Sequence, residues 1–470
     1  MPNQPDNQPP RGAPRERFIP TTATLLEDGS LVELVYDPRG RRTSLALWRN
    51  EACELLPRID LPGGARLVPY SPGNNLIKND VVLLPSGTEE YGSEAELIAE
   101  IQAYIHRYVD ISPQFERIAS YYVLFSWLYD GFNELPYLRV RGDYGSGKTR
   151  FLLVVGSLCY KPVFGGGASS VSPIFHILHA FRGTLVIDEG DFRWSDDKAD
   201  IVKILNCGNV RGFPVLRTEV SRTGEFNPRA FHVYGPKLVA SRGFYEDRAL
   251  ESRFITEETG NRDVRKDIPI NLPTRYKKEA LRLRNKLLLY RFRNVFKKVP
   301  NDTLVDRTLE PRLNQIFVPL LSVIDDPLVR AELKELARER NREIISDRGM
   351  EVYAQVLDVI KDLQRQGSKL SVGEITAAFV KRFGKDFERP ITNKWMGYLI
   401  RRDLHIKTRK SNGVYVIPPM EDEKLRRLYE KYGITDPPRP LAREEAPVDT
   451  GEAGEVNLEG ANESKGQQSL

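Results

Sequence analysis

Gly142-Asp143-Tyr144-Gly145-Ser146-Gly147-Lys148-Thr149 satisfies, at every constrained position, the pattern of a loop that wraps phosphate. Its flanks set the fold. Tyr137-Leu138-Arg139-Val140-Arg141 supports a strand and Arg150-Phe151-Leu152-Leu153-Val154-Val155-Gly156 a helix, so the loop is expected at a strand-to-helix junction of an α/β domain. There the glycines let backbone N–H groups close around an anion at a helix N-terminus. Gly142 to Thr149 are therefore the candidate nucleotide-binding residues. Lys148 is expected to reach the β- and γ-phosphates, and Thr149 to offer its hydroxyl to Mg²⁺. ATP and Mg²⁺ are the ligands this implies.

Downstream of the loop, Thr184-Leu185-Val186-Ile187-Asp188-Glu189 is a short apolar run that ends in two carboxylates, with Asp188 forty residues beyond Lys148. It reads as a buried parallel strand with acids at its C-terminal end. Asp188 is the candidate for the Mg²⁺ shell, and Glu189 for orienting or deprotonating the attacking water. The alternative is two acids that cap the next helix. A second buried strand, Pro236-Lys237-Leu238-Val239-Ala240-Ser241, ends in a polar residue and is followed by Asp247-Arg248-Ala249-Leu250-Glu251-Ser252-Arg253. In ring-forming ATPases, a polar side chain ending such a strand senses the γ-phosphate. An arginine soon after it enters the next subunit's site, adding positive charge where the transition state spreads its negative charge. Ser241 fits the sensor, Arg253 is the first choice for the finger and Arg248 the second, against arginines on a solvated helix face. Glu310-Pro311-Arg312 opens a helical lid from which Arg312 is a further candidate sensor, or a structural arginine.

Together, Pro136-Tyr-Leu-Arg-Val before the loop, Phe181-Arg-Gly-Thr-Leu-Val-Ile-Asp-Glu, Tyr234-Gly-Pro-Lys-Leu-Val-Ala-Ser and Arg248-Ala-Leu-Glu-Ser-Arg resemble the helicase-like AAA+ ATPases of phages, plasmids and integrated elements, relatives of superfamily 3 helicases. The resemblance spans roughly residues 93 to 330. It implies oligomerisation, ATP at subunit interfaces and a finger at Arg253. The chain departs from that family at Ser241, where its members usually carry Asn. Arg211 to Phe226 carries strand-like residues on both sides of a Ser-Arg-Thr-Gly turn, which suggests a β-hairpin. In the related helicases a hairpin here lines a central pore, and the resemblance places Arg222 against single-stranded DNA. An ordinary surface hairpin is the other reading.

The chain has 470 residues, a net charge of +5 and 40% hydrophobic residues, enough for several domains with real cores. No apolar run approaches the roughly twenty residues of a membrane helix, and a cytoplasmic protein is expected. Cys53, Cys159 and Cys207 are scattered and lack metal-ligand spacing, as in reduced structural thiols. Residues 1–20 are polar and expected to be disordered. Residues 21–90 alternate short apolar runs with turns, as in a β-rich module. Residues 91–270 make the P-loop core, 271–365 a helical lid and linker, 366–420 a winged helix, and 421–470 a helix end and disordered tail.

Arg275 to Lys298 carries ten basic residues and one acidic. Leu283, Leu287, Tyr290 and Phe296 are expected to pack inward with the charges facing water or nucleic acid. In the winged-helix segment a cap at Ser371, a helix from about Ile391 and a hairpin around Asn412-Gly413 follow in order. Lys394, Arg402, Arg409 and Lys410 are the candidate contacts to duplex phosphates; a protein-contact role for the module is the alternative.

The sequence thus reads as an α/β protein with a P-loop AAA+-type core, a β-rich N-terminal module, a helical lid and a C-terminal winged helix. The function expected is that of a DNA-acting ATPase, a replicative helicase-like translocase of a mobile element working as a homo-oligomeric ring. Its rival is a helicase loader or regulator that remodels a protein partner on DNA, with replication proteins as partners in either case.

Overall fold

The computed structural model describes residues 17–166, 171–188, 196–220, 226–245, 247–260, 264–349, 352–384, 387 and 390–434. They divide into two compact units at Glu343 and Ile344. The first unit opens with seven strands: β1 (Arg17–Thr21), β2 (Ala23–Leu25), β3 (Leu31–Asp37), β4 (Arg42–Arg49), β5 (Ala52–Leu56), β6 (Ile59–Asp60) and β7 (Ala65–Pro69). β2 to β5 form an antiparallel sheet, and β1 pairs in parallel with β7 beside β6. Among the described residues, strand structure therefore starts at Arg17, inside the stretch expected to be disordered, because β7 supplies it with a full set of ladder partners.

Beyond these strands lie α1 (Asn75–Lys78), α2 (Glu94–Tyr108), whose first turn is closed by the Ser93–Glu96 capping box, and α3 (Pro113–Ser126), capped by Ser112. The nucleotide core follows as β8 (Tyr137–Arg141), α4 (Lys148–Gly156), β9 (Val163–Gly165), α5 (Val171–Phe181), β10 (Leu185–Asp188), α6 (Asp196–Cys207), the hairpin β11 (Val215–Val220) and β12 (Phe226–Phe231), β13 (Lys237–Ser241), α7 (Arg248–Glu251) and β14 (Phe254–Glu258). Its sheet runs β14-β8-β13-β10-β9, and every neighbouring pair is parallel. That explains the near-continuous apolar strands, since helices cover both faces of such a sheet. Loops leaving the C-terminal ends of β8, β10 and β13 consequently converge on one edge.

The core is joined to the β-rich module by buried charge. Glu33 of β3 is 2% exposed and accepts from Lys161 at 2.8 Å, from Arg291 at 2.7 Å and from the Tyr160 hydroxyl at 2.7 Å. Arg291 also grips Asp130, at 2.8 and 2.6 Å. It belongs to α8 (Arg275–Asn294), which α9 (Pro311–Val323) and α10 (Pro327–Gly349) follow. On α8 Leu283, Leu287 and Tyr290 are buried as expected, but so are Arg284 and Arg291, while Phe296 beyond the helix end is 60% exposed. The outward charges are matched by acids: Lys277 by Asp80 at 3.0 Å, Arg282 by Glu89 at 2.8 Å, Lys286 by Glu100 at 2.6 Å and Arg293 by Glu90 at 2.7 Å. Most of this basic run is thus a paired structural face, with Lys278 and Lys297 exposed beside it.

The boundary between the units falls inside α10. The second unit contains α11 (Val352–Arg365), α12 (Val372–Phe383), α13 (Asn393–Tyr398) prolonged by a wider turn through Asp403, the hairpin β15 (Arg409–Ser411) and β16 (Val414–Val416), and α14 (Asp422–Lys431). α11 supplies Val356, Leu357, Val359 and Ile360 to the apolar core of this unit, where Ile375, Phe379, Met396, Ile400 and Leu425 meet them. It thus belongs here and not with a linker ending at residue 365. Ser371 caps α12 through a capping box with Glu374 and bridges to Val416 of the hairpin. Asn412 and Gly413 turn the hairpin at φ of 49° and 80°, the left-handed geometry of a two-residue connection.

Candidate nucleotide site

The loop after β8 is built around backbone geometry that side chains would obstruct. At Gly142 a Cβ would stand 2.3 Å from the Thr259 carbonyl oxygen, so any larger residue displaces the loop from β14's end. Gly145 and Gly147 take φ of 75° and 86°, which glycine adopts without steric cost. Gly147 directly precedes α4, whose first residues Lys148 and Thr149 sit on the axis where backbone N–H groups point outward. The Lys148 ammonium donates to the carbonyls of Gly142 at 2.7 Å and Asp143 at 2.6 Å. Burial pushes its pKa down, Asp188 opposes that, and Arg242 adds to it.

The Thr149 hydroxyl donates to Asp188 Oδ2 at 2.9 Å. Two hard oxygen ligands for one divalent cation thus come from the two motifs expected to share it. A cavity of about 410 Å³ opens over them, lined by the loop, Lys148, Thr149, Asp188, Arg150 and Arg242. A second cavity, of about 490 Å³, meets it across Gly145, Ser146, Gly147 and Arg150 and is walled by Val109, Ile111, Phe151 and Ile268. One end of this bipartite pocket is polar and the other apolar, as a ligand with a charged tail and a flat heterocycle requires. Arg150 ties the apolar wall in place by donating to the carbonyls of Pro269, at 2.5 Å, and Ile270.

Ser241 ends β13 beside the loop. Its carbonyl accepts from the Gly142 N–H at 3.3 Å, and its hydroxyl donates to the Gly243 carbonyl at 3.2 Å. Arg253 is half-buried and turned toward its own α6, donating to the Leu205 carbonyl at 3.1 Å and Asn206 Oδ1 at 2.6 Å; burial lowers its pKa. Arg312 on α9 donates to the Ala249 carbonyl at 2.7 Å. Arg248 is exposed at the start of α7. All three arginines thus gather around α7, and none lines the polar cavity. Glu189 and Arg222 lie outside the described residues.

Two contributors were not singled out from the sequence. Arg242, which follows Ser241, lines the polar cavity and lays its guanidinium 3.6 Å from the centre of the Tyr144 ring. Arg139, at the middle of β8, is fully buried and braces α7 through Glu251. A basic residue leaving the strand next to the loop's strand is the one signal that pointed to Arg242.

In the second unit, Lys394, Arg401, Arg402, Lys407, Arg409 and Lys410 are exposed, and none of them is held in an ion pair among the described residues. Tyr398 and Tyr415, 53% and 51% exposed, stand beside Arg402 and Arg401. Here the charge is open, unlike that on α8.

No family model and no curated protein matches the chain. Among solved structures, the apo NrS-1 C-terminal region is 11% identical, with 82% of this chain and 96% of that chain covered at a TM-score of 0.35. The SCCmec type IV Cch active helicase is 11% identical, covering 87% of this chain and 80% of that one, also at 0.35. Cdc6p from Pyrobaculum aerophilum is 12% identical, with 68% and 95% covered at 0.21. Likenesses at this level carry no inference; the α/β assignment stands on the parallel sheet and the phosphate loop themselves. No helix among the described residues is long and apolar enough to cross a membrane.

Proposed function

We propose that the chain is an ATP-hydrolysing motor that acts on DNA, a helicase-like translocase of a mobile element working as a homo-oligomeric ring. The observation that carries the ATPase reading is the 2.9 Å hydrogen bond from Thr149 to Asp188. It joins the two halves of a Mg²⁺-triphosphate site that the sequence spaces 39 residues apart. Lys148 and the N–H groups of the loop bind the β- and γ-phosphates, while Val109, Ile111 and Phe151 take the base. Mg²⁺ held between Thr149 and Asp188 would neutralise charge on the phosphate oxygens. Glu189 orients a water molecule in line with the terminal phosphate. As the water oxygen bonds to phosphorus, the bond to the bridging oxygen breaks, its electron pair leaves with ADP, and the water's proton passes to Glu189.

Arg253, with Arg248 and Arg312 beside it, serves the next subunit's site, since it does not line its own. The second unit acts as a winged helix, with α13 and the β15–β16 wing presenting Lys394, Arg402, Arg409 and Lys410 to duplex phosphates. Arg222 meets the single strand in the pore. A loader that remodels a protein partner on DNA would keep the same ATPase site and use the winged helix for protein contact.

The test is steady-state phosphate release with and without DNA, beside fork unwinding. Lys148→Ala is expected to lose nucleotide affinity, and Glu189→Gln to bind ATP yet turn over at least about a hundredfold more slowly. Turnover by Glu189→Gln at the wild-type rate removes Glu189 from the mechanism. Hydrolysis that opens a fork only when another helicase is added identifies a loader.

A further inference from the structure

We infer that Arg242 reads the terminal phosphate in cis, from its place on the wall of the polar cavity. The inference builds on the ATPase reading above and assigns a role to a residue outside the recognised motifs.

Sheet order supplies the direction. β13 lies between β8, which leads into the phosphate loop, and β10, which ends at Asp188. A residue leaving the C-terminal end of β13 therefore stands between the loop and the metal-binding carboxylate. The apolar cavity lies on the opposite side, where Thr259 follows β14. The base thus points toward β14 and the phosphate tail toward β13 and β10, which puts Arg242 at the tail's far end.

Electrostatics agree with that placement. The field of Arg242 reaches Lys148, where it adds to the stronger effect of burial in disfavouring the ammonium. Two like charges facing one cavity repel until an anion enters between them. Arg248, Arg253 and Arg312 do not compete for the role within the same subunit, since none lines the cavity.

Equilibrium binding of ADP and of a non-hydrolysable ATP analogue to the full-length wild type, Arg242→Ala and Arg242→Lys tests this. The expected result is a loss of about tenfold or more in analogue affinity for Arg242→Ala, equivalent to one lost charge-assisted contact. ADP affinity should stay within about twofold, because ADP lacks the phosphate in question, and Arg242→Lys should recover part of the loss. A general folding defect would weaken both nucleotides together. Equal losses for both, or no loss for either, overturn the role of Arg242 while leaving the ATPase reading in place. If the wild type itself binds neither nucleotide, both readings fall.

Discussion

Arg139 on β8 and Glu251 on α7 are clasped side by side, the Nη1 of the arginine donating to Oε2 of the glutamate at 2.8 Å and Nη2 to the other oxygen. Arg139 has no solvent exposure; its Nε donates to Thr256 at 3.1 Å and its guanidinium lies over the Phe254 ring. Burial on its own would raise the pKa of Glu251, but the hydrogen bonds and charge of Arg139 hold it below the ordinary value. The strand that delivers the phosphate loop is thereby pinned to the short helix that begins at Arg248 and ends just before Arg253.

Glu251→Ala should cost roughly 3–5 kcal/mol of stability, because it leaves Arg139 buried without its counter-charge. Chemical denaturation measures this. A carboxylate with a depressed folded-state pKa contributes stability above the unfolded value, near 4.3, and loses it as pH falls through the folded one. The wild type should therefore shed this increment on acidification while the variant has none to shed. A cost below about 1 kcal/mol would show that the clasp is merely tolerated.

Arg253→Ala should abolish hydrolysis while keeping ATP affinity, since the side chain does not line its own cavity. Mixing it with Lys148→Ala protein should restore some turnover, each variant contributing the half-site that the other lacks. Normal hydrolysis by Arg253→Ala alone would mean that its bonds to Leu205 and Asn206 are its whole purpose.

Neutralising Lys394, Arg402, Arg409 and Lys410 together should weaken duplex binding and flatten its salt dependence by about one in the log–log slope per lost phosphate contact. Binding isotherms at several salt concentrations provide the slope. If removal of residues 370–418 leaves affinity and slope unaltered, the module serves protein contact.

Lys237 should make stability rise with pH. Its ammonium is fully buried at the base of β13, donating to the carbonyls of Val233 at 2.8 Å and Gly235 at 2.7 Å, and burial pulls its pKa down to about 7. Between that value and the ordinary one near 10.4, the unfolded chain binds a proton that the folded chain does not. Stability therefore climbs across this window by at most about 1.4 kcal/mol per pH unit, and is flat below it. Urea midpoints at pH 7.5, 8.5 and 9.5 should show the rise in the wild type and a smaller one in Lys237→Met.

What could be read in advance was what is local in the chain. The Gly142–Thr149 spacing, the cap at Ser371 and the Asn412-Gly413 turn each depend on neighbours within a few residues. Contacts between distant segments left no such trace. Arg282 finds its acid at Glu89, 193 residues earlier in the chain, so the composition of α8 alone suggested solvated or DNA-facing charge. Arg242 acquires its place only from the order β8-β13-β10, and Arg139 only because α7 folds back over β8. Arg248, Arg253 and Arg312 were selected by residue type and position, and it took the fold to show that they share one corner.

The carboxylate of Glu33, enclosed by Lys161, Arg291 and Tyr160, also bears on how the molecule can be taken apart. A fragment trimmed to begin at residue 91 would expose an internal seam and strand Lys161 without its only carboxylate neighbour within ion-pair distance among the described residues. The amino-terminal strands are thus a keystone of the first unit: exchanging them for another domain would require refitting the positions of Lys161 and Arg291 at the same time.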